Sequence, residues 1–191
     1  MRVLSHCLMS VDDTSWRLRV KERGLTESLC LELSQLLTER RERLVCAESC
    51  TGGLLAANCT AVPGSSDWFE ASFVTYGMTA KQRMLGVSES VLQTFGAVSE
   101  PVARAMAEGA LVRSTADVSV AITGVAGPGG GEPMLPVGTV WFAWAVRGET
   151  YTSTARHQIA GHREQVRSSA VDVALDGLLQ ILKQQRPPLQ G

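Results

Sequence analysis

Bases are scarce in this chain. Lysine occurs three times in 191 residues (Lys21, Lys81, Lys183), and histidine three times (His6, His157, His162). No apolar run approaches the roughly 18–20 residues of a membrane span, which argues against a membrane-embedded chain. Charge of one sign is lacking too: 18 Lys and Arg face 19 Asp and Glu, for a formal net charge of −1. Broad binding to nucleic acid or an anionic membrane needs a basic surface, so neither is expected as a partner. The short N-terminal apolar stretch has no small-residue cleavage site and runs into Asp12 and Asp13, against a signal peptide. Five cysteines (Cys7, Cys30, Cys46, Cys50, Cys59) contain no C-x-x-C pair and no interleaved histidines. They read as reduced thiols buried as small hydrophobes in a cytoplasmic protein, not as a disulfide framework or metal site.

What is present is the alternation of short apolar runs with amphipathic ones, in a length that suits one domain with a sizeable core. Residues 1–24 lack periodicity and read as an arm; 186–191, with Pro187-Pro188, read as a tail. A helix is expected from Thr26, with Leu29, Leu33, Leu36 and Leu37 on one stripe, ended by the cluster Glu39-Arg40-Arg41-Glu42-Arg43. Strands are expected at 43–48, 68–76 and 118–122, and a hairpin of 138–147 and 149–157 turning at Arg147-Gly148-Glu149. Helices are expected to Cys59, over 79–85, over 89–95 behind an N-cap Ser88, after an N-cap Ser99, and over 161–184. Strands alternating with helices imply a single-domain, three-layer α/β/α sandwich with a mixed sheet.

The most informative stretch is Ala47-Glu48-Ser49-Cys50-Thr51-Gly52-Gly53, between the apolar runs Leu44-Val45-Cys46 and Leu54-Leu55-Ala56-Ala57. A strand stopping at a hydroxyl and a helix starting at glycines would lift Ser49 to the positive end of a helix. Free amides there, at Thr51–Gly53, can receive an oxyanion. Ser49 is therefore a candidate nucleophile, with the neighbouring thiol of Cys50 its rival.

A serine needs a base. Lys21 falls in the arm and Lys183 in the last helical turn, which leaves Lys81 as the one interior lysine; no spacing supports a triad through His162. Burial and a helix N-terminus both disfavour the ammonium and would free Lys81 to accept the serine proton, with Tyr76 hydrogen-bonding between the two. The plain alternative is a solvated helix lysine beside a strand aromatic. The loop Thr123-Gly124-Val125-Ala126-Gly127-Pro128-Gly129-Gly130-Gly131 could approach an anion closely, but it is neither a P-loop nor a dinucleotide fingerprint. Arg163 could pair with a phosphate, or be an ordinary surface arginine.

Five segments occur in order: the Ser49 segment, Val74-Thr75-Tyr76 with Ala80-Lys81, Gly96-Ala97-Val98-Ser99, Ile122-Thr123-Gly124-Val125-Ala126-Gly127-Pro128, and Pro136-Val137-Gly138-Thr139-Val140. Together they resemble the CinA C-terminal domain family, over about residues 25–185. Active members of that family are nicotinamide mononucleotide (NMN) deamidases. The resemblance implies hydrolysis of the NMN carboxamide to nicotinic acid mononucleotide and ammonia in pyridine-nucleotide recycling, with no metal or other cofactor, by a homodimer. It implies Ser49 as nucleophile, Lys81 as base and Tyr76 in support, with Glu48, Thr51, Gly52, Gly53, Thr123, Gly124, Gly127 and Arg163 binding substrate. One departure stands out: Gly77-Met78 replaces the family's Ser-Asn after the tyrosine. That leaves two alternatives beside the NMN deamidase: an inactive nucleotide-binding paralogue, or an amidase for another pyridine carboxamide.

Overall fold

Alternation of side chains along three central strands builds two unequal cores on the two faces of one sheet. The computed structural model describes residues 24–185. The expected arm (apart from Gly24) and tail lie outside the described residues, and with them Cys7, His6 and Lys21. In chain order the elements are α1 (Leu25–Arg40), β1 (Leu44–Glu48), α2 (Leu54–Thr60), a 3-10 turn (Ser65–Asp67), β2 (Phe69–Val74), α3 (Met78–Leu85), α4 (Glu89–Phe95), α5 (Glu100–Val112), β3 (Val118–Gly124), β4 (Thr139–Val146), β5 (Ser153–Gln158) and α6 (Arg163–Gln185). The sheet order is β2-β1-β3-β4-β5. β1 pairs in parallel with both β2 and β3, while β4 and β5 run antiparallel. This is the expected α/β/α sandwich with a mixed sheet.

Residues 44, 46, 118, 120, 122, 140, 142, 144 and 146 face a core completed by Leu29, Leu33 and Leu37 of α1, Leu55 and Cys59 of α2, and Val166, Ala170, Leu175 and Leu178 of α6. The opposite face carries Val45, Ala47, Ala121, Ala143 and Ala145, against Val102, Ala103, Met106, Ala107 and Ala110 of α5 and Leu85 of α3. Small side chains on both partners let α5 lie close across β1, β3 and β4. Ser119 uses that closeness to donate to the Ala107 carbonyl of α5 at 2.9 Å, so its buried hydroxyl is satisfied.

Three local expectations are corrected. The chain does turn at Arg147-Gly148, where the Glu149 amide donates to the Val146 carbonyl at 3.1 Å, but the second strand starts at Ser153 and not at 149, while Arg147 donates to the Leu111, Ser114 and Ala116 carbonyls. Ser99 precedes α5, but its hydroxyl donates to the Gly96 carbonyl instead of capping the helix; Pro101 has no amide to offer there. Finally, Thr123 and Gly124 belong to β3, so the irregular loop begins only at Val125. Ser88 does cap α4, accepting from the Val91 amide at 3.2 Å.

β1 is flanked by β2 on one side and β3 on the other. The chain leaves β1 for β2 and later crosses back past it to β3, opening a crevice at the carboxyl end of β1. In open parallel sheets ligand sites form at such switch points.

Candidate active site

The turn after β1 is held from three directions. Its conformation needs the glycines: Gly52 and Gly53 have φ of 60° and 93°, a region costly for residues with a Cβ. Glu48 is fully buried, and its carboxylate accepts from the amides of Gly53 (3.0 Å), Leu55 (3.1 Å) and Ala56 (3.0 Å) and from the Ser72 hydroxyl (2.9 Å). It thereby satisfies the first amides of α2, which would otherwise lack acceptors. Ser49 continues the sheet pairing, its amide donating to the Ile122 carbonyl at 2.9 Å.

Because successive side chains of a strand point to opposite faces, Glu48 follows Leu44 and Cys46 toward α2, and Ser49 follows Val45 and Ala47 toward α3. There it meets Lys81. The ammonium nitrogen Nζ lies 2.8 Å from Ser49 Oγ, 2.6 Å from the Thr75 carbonyl oxygen and 3.3 Å from the Tyr76 carbonyl oxygen. Lys81 is fully buried and Ser49 nearly so. Burial pushes the Lys81 pKa down to about 8, and the neighbouring Cys50 opposes that only in part. No solvated helix lysine is seen here. The Cys50 thiol, by contrast, is pushed up to about 11 by its own burial, so at neutral pH it is a protonated, poor nucleophile.

The other expected site residues divide into those that face the crevice and those that build it. Tyr76 does not bridge the lysine and serine; its carbonyl holds Lys81, while its exposed phenol accepts from Arg163 Nη2 at 3.3 Å. Arg163 also donates to the Gly127 carbonyl at 2.7 Å, tying the glycine loop to α6. Glu48, expected to bind substrate, is spent on main-chain amides. Thr123 is fully buried and donates to the Ala97 carbonyl at 2.7 Å, a clamp between β3 and the segment before α5. Gly124 is needed for close approach, since a Cβ there would lie 2.8 Å from the Thr139 carbonyl oxygen.

The amides expected to receive an oxyanion are also narrowed. Gly53 N–H is taken by Glu48, and Gly52 N–H by the Ser49 carbonyl at 3.1 Å. Among the described residues no main-chain acceptor engages the amides of Cys50 and Thr51, which follow Ser49 and approach the Cys50 sulfur.

A groove of about 740 Å³ runs beside the turn, with Gly127, Pro128 and Val137 on one wall and His162, Arg163 and Arg167 on the other. Arg167 is the residue that sequence reasoning missed. Its guanidinium donates from Nε to the Cys50 carbonyl (3.2 Å) and from Nη2 to the Thr51 carbonyl (2.7 Å). The only signal for it in the sequence is its spacing of four from Arg163, which puts both on one helical face. Among the described residues no cluster of three or more His, Cys, Asp or Glu is placed to hold a metal ion.

The CinA C-terminal domain family matches residues 26–182. The chain is 48% identical over 161 residues to the nicotinamide-nucleotide amidohydrolase PncC of Escherichia coli K12, covering 82% of this chain and 96% of that protein. It is 54% identical over 143 residues to a CinA-like protein of Akkermansia muciniphila, covering 75% of this chain but 34% of that longer protein. Thus it spans nearly all of the first relative and about a third of the second. The crystal structure of the competence/damage inducible protein CihA from Agrobacterium tumefaciens superposes with a TM-score of 0.82 at 41% identity, over 84% of this chain and 97% of that one. On the family match and this likeness of sequence and fold, the chain belongs to the CinA C-terminal domain family.

Proposed function

We propose that this protein hydrolyses the carboxamide of NMN to nicotinic acid mononucleotide and ammonia, with Ser49 as nucleophile and Lys81 as general base. The observation that carries the reading is the 2.8 Å contact of a buried amine with a buried serine hydroxyl. A neutral amine has two N–H groups and one lone pair. With the Thr75 and Tyr76 carbonyls accepting the two N–H groups, the lone pair is left for the Ser49 hydroxyl proton. The pKa of about 8 keeps a useful neutral fraction near neutrality.

In this mechanism Lys81 takes the Ser49 proton as Oγ attacks the carboxamide carbon. The oxyanion is received by the Cys50 and Thr51 amides, a contribution worth about 3–4 kcal/mol per donor in other hydrolases. Lys81 passes the proton to the amide nitrogen, the C–N bond breaks, and ammonia leaves. Water then attacks the acyl-serine carbon, its proton going to Lys81 and from there back to Ser49 Oγ. Tyr76, through its carbonyl, holds the amine in place. In this reading Arg163 and Gly127, at the groove wall, meet the nucleotide part of the substrate. The similarity to PncC of E. coli supports this choice of substrate. A cytoplasmic homodimer belongs to the same reading, and light scattering of the pure protein tests the dimer.

Incubating pure protein with NMN and assaying ammonia and nicotinic acid mononucleotide is the direct test. Absence of turnover at every pH from about 6 to about 10, a range that brackets a lowered lysine pKa, would overturn the proposal. A second reading keeps one observation in its favour: Met78, half-exposed at the start of α3, presents an apolar side chain beside Tyr76. A non-catalytic nucleotide-binding paralogue would be thermally stabilised by NMN without any change over time, whereas an enzyme's shift drifts as substrate becomes product.

A further inference from the structure

Arg167 stands one turn after Arg163 on α6, half-buried against the turn that carries Ser49. The two carbonyls it holds, those of Cys50 and Thr51, belong to consecutive peptides. In a planar trans peptide the C=O and the following N–H point in opposite directions. Drawing the Cys50 carbonyl toward α6 therefore aims the Thr51 amide away from α6. Drawing the Thr51 carbonyl the same way aims the Gly52 amide away as well, toward the Ser49 carbonyl it donates to at 3.1 Å. That bond engages the Ser49 carbonyl and so sets the direction of the Cys50 amide.

We infer that Arg167 is a positioning residue whose two-pronged hold on the Cys50 and Thr51 carbonyls orients the amides of the Ser49 turn for the oxyanion. The inference rests on the serine-hydrolase reading above. Glu48 holds the far end of the same turn through the Gly53 amide, so the segment is fixed at both ends by charged groups from different parts of the chain. Arginine suits the task because its planar fork offers parallel donors at fixed spacing, which a lysine cannot. The competing role, a clamp on the substrate phosphate, would draw on the guanidinium N–H groups other than those held by the Cys50 and Thr51 carbonyls.

The test compares wild type with Arg167→Met and Arg167→Lys, by steady-state kinetics on NMN across pH and by amide hydrogen exchange at Gly52. Arg167→Met should lose at least about tenfold in kcat, as for weakened oxyanion donors, while KM changes by less than about threefold. Arg167→Lys, able to hold one carbonyl, should fall between the two. The pH midpoint set by Lys81 should stay where it is, and Gly52 exchange should quicken by about tenfold or more while mid-α6 amides keep their protection. A raised KM with kcat retained and Gly52 exchange unchanged would overturn the inference in favour of a phosphate clamp. A lowered Tm with wild-type kcat per folded molecule would overturn it in favour of mere packing. Should wild type fail to hydrolyse NMN, the hydrolase reading falls separately. Quickened Gly52 exchange would then still support the hold on the turn, and unchanged exchange would refute it.

Discussion

Glu48 and Ser49 are neighbours in the chain and serve opposite faces of the sheet. The Glu48 carboxylate gathers three amides at the start of α2, and the Ser49 hydroxyl lies against Lys81 of α3. Replacing Glu48 by Gln puts an NH2 donor where only donors converge, and a buried unmatched donor costs about 1–3 kcal/mol. Glu48→Gln should therefore lower Tm by several degrees in calorimetry, at about 2–4 °C per kcal/mol for a domain of this size. The loosened turn should also lower kcat at temperatures where the variant is folded. Unchanged Tm and kcat together would show that the carboxylate does not hold the turn.

Ser49→Ala removes a single oxygen from a nearly buried position and should leave the fold intact. Turnover should fall by more than about a hundredfold, equivalent to about 2.7 kcal/mol of transition-state stabilisation. Cys50→Ala should keep turnover within about tenfold, since its thiol stays protonated at neutral pH. A dead Cys50→Ala beside a live Ser49→Ala would make the sulfur the attacking atom.

The pH dependence of kcat/KM should report Lys81. In the proposed mechanism its neutral form is the base, so activity should rise with pH through a midpoint near 8, the value burial imposes. Lys81→Arg keeps the charge but cannot deprotonate in that range, and should be inactive from about pH 6 to about pH 10. An arginine variant that keeps most of its kcat would make residue 81 a charge clamp instead of a base.

The same buried amine links stability to pH. Unfolding returns Lys81 to an ordinary pKa near 10.4, so between about 8 and that value the unfolded chain holds a proton the folded chain has released. Stability from this group therefore rises with pH across that window. Below about pH 8 both states are protonated and the cost of burying the ammonium is fully present. At pH 7 Lys81→Met should thus be at least as stable as wild type. From pH 8 to 10 wild type should gain on it by about 2 kcal/mol, at 1.36 kcal/mol per tenfold in proton affinity. Denaturant titrations of both proteins at pH 7 and pH 10 measure the difference, and a constant gap would mean that Lys81 is solvated.

Much of this architecture was legible in the sequence because its signals are local. A leucine stripe at helical spacing predicts α1. The step from an apolar run through Ser49 to Gly52-Gly53 predicts a strand, a turn and a helix. The scarcity of lysine directs attention to Lys81. The structural work of Glu48, Thr123 and Gly124 within the turn and the sheet was not legible, since a motif shows that a residue is needed at a place and not which way it faces. Strand alternation could have warned of this, because Glu48 shares the face of Leu44 and Cys46.

By itself, then, the sequence determined the order of strands and helices and the chemistry available at the end of β1, since backbone preference and hydrophobic period act over a few residues. Only the tertiary structure decided which groups meet there. Lys81 reaches Ser49 across 32 positions and Arg167 reaches Cys50 across 117. Those approaches depend on α3 and α6 packing on opposite faces of one sheet. Burial of the lysine, and with it the lowered pKa, is a property of that packing and of no segment alone.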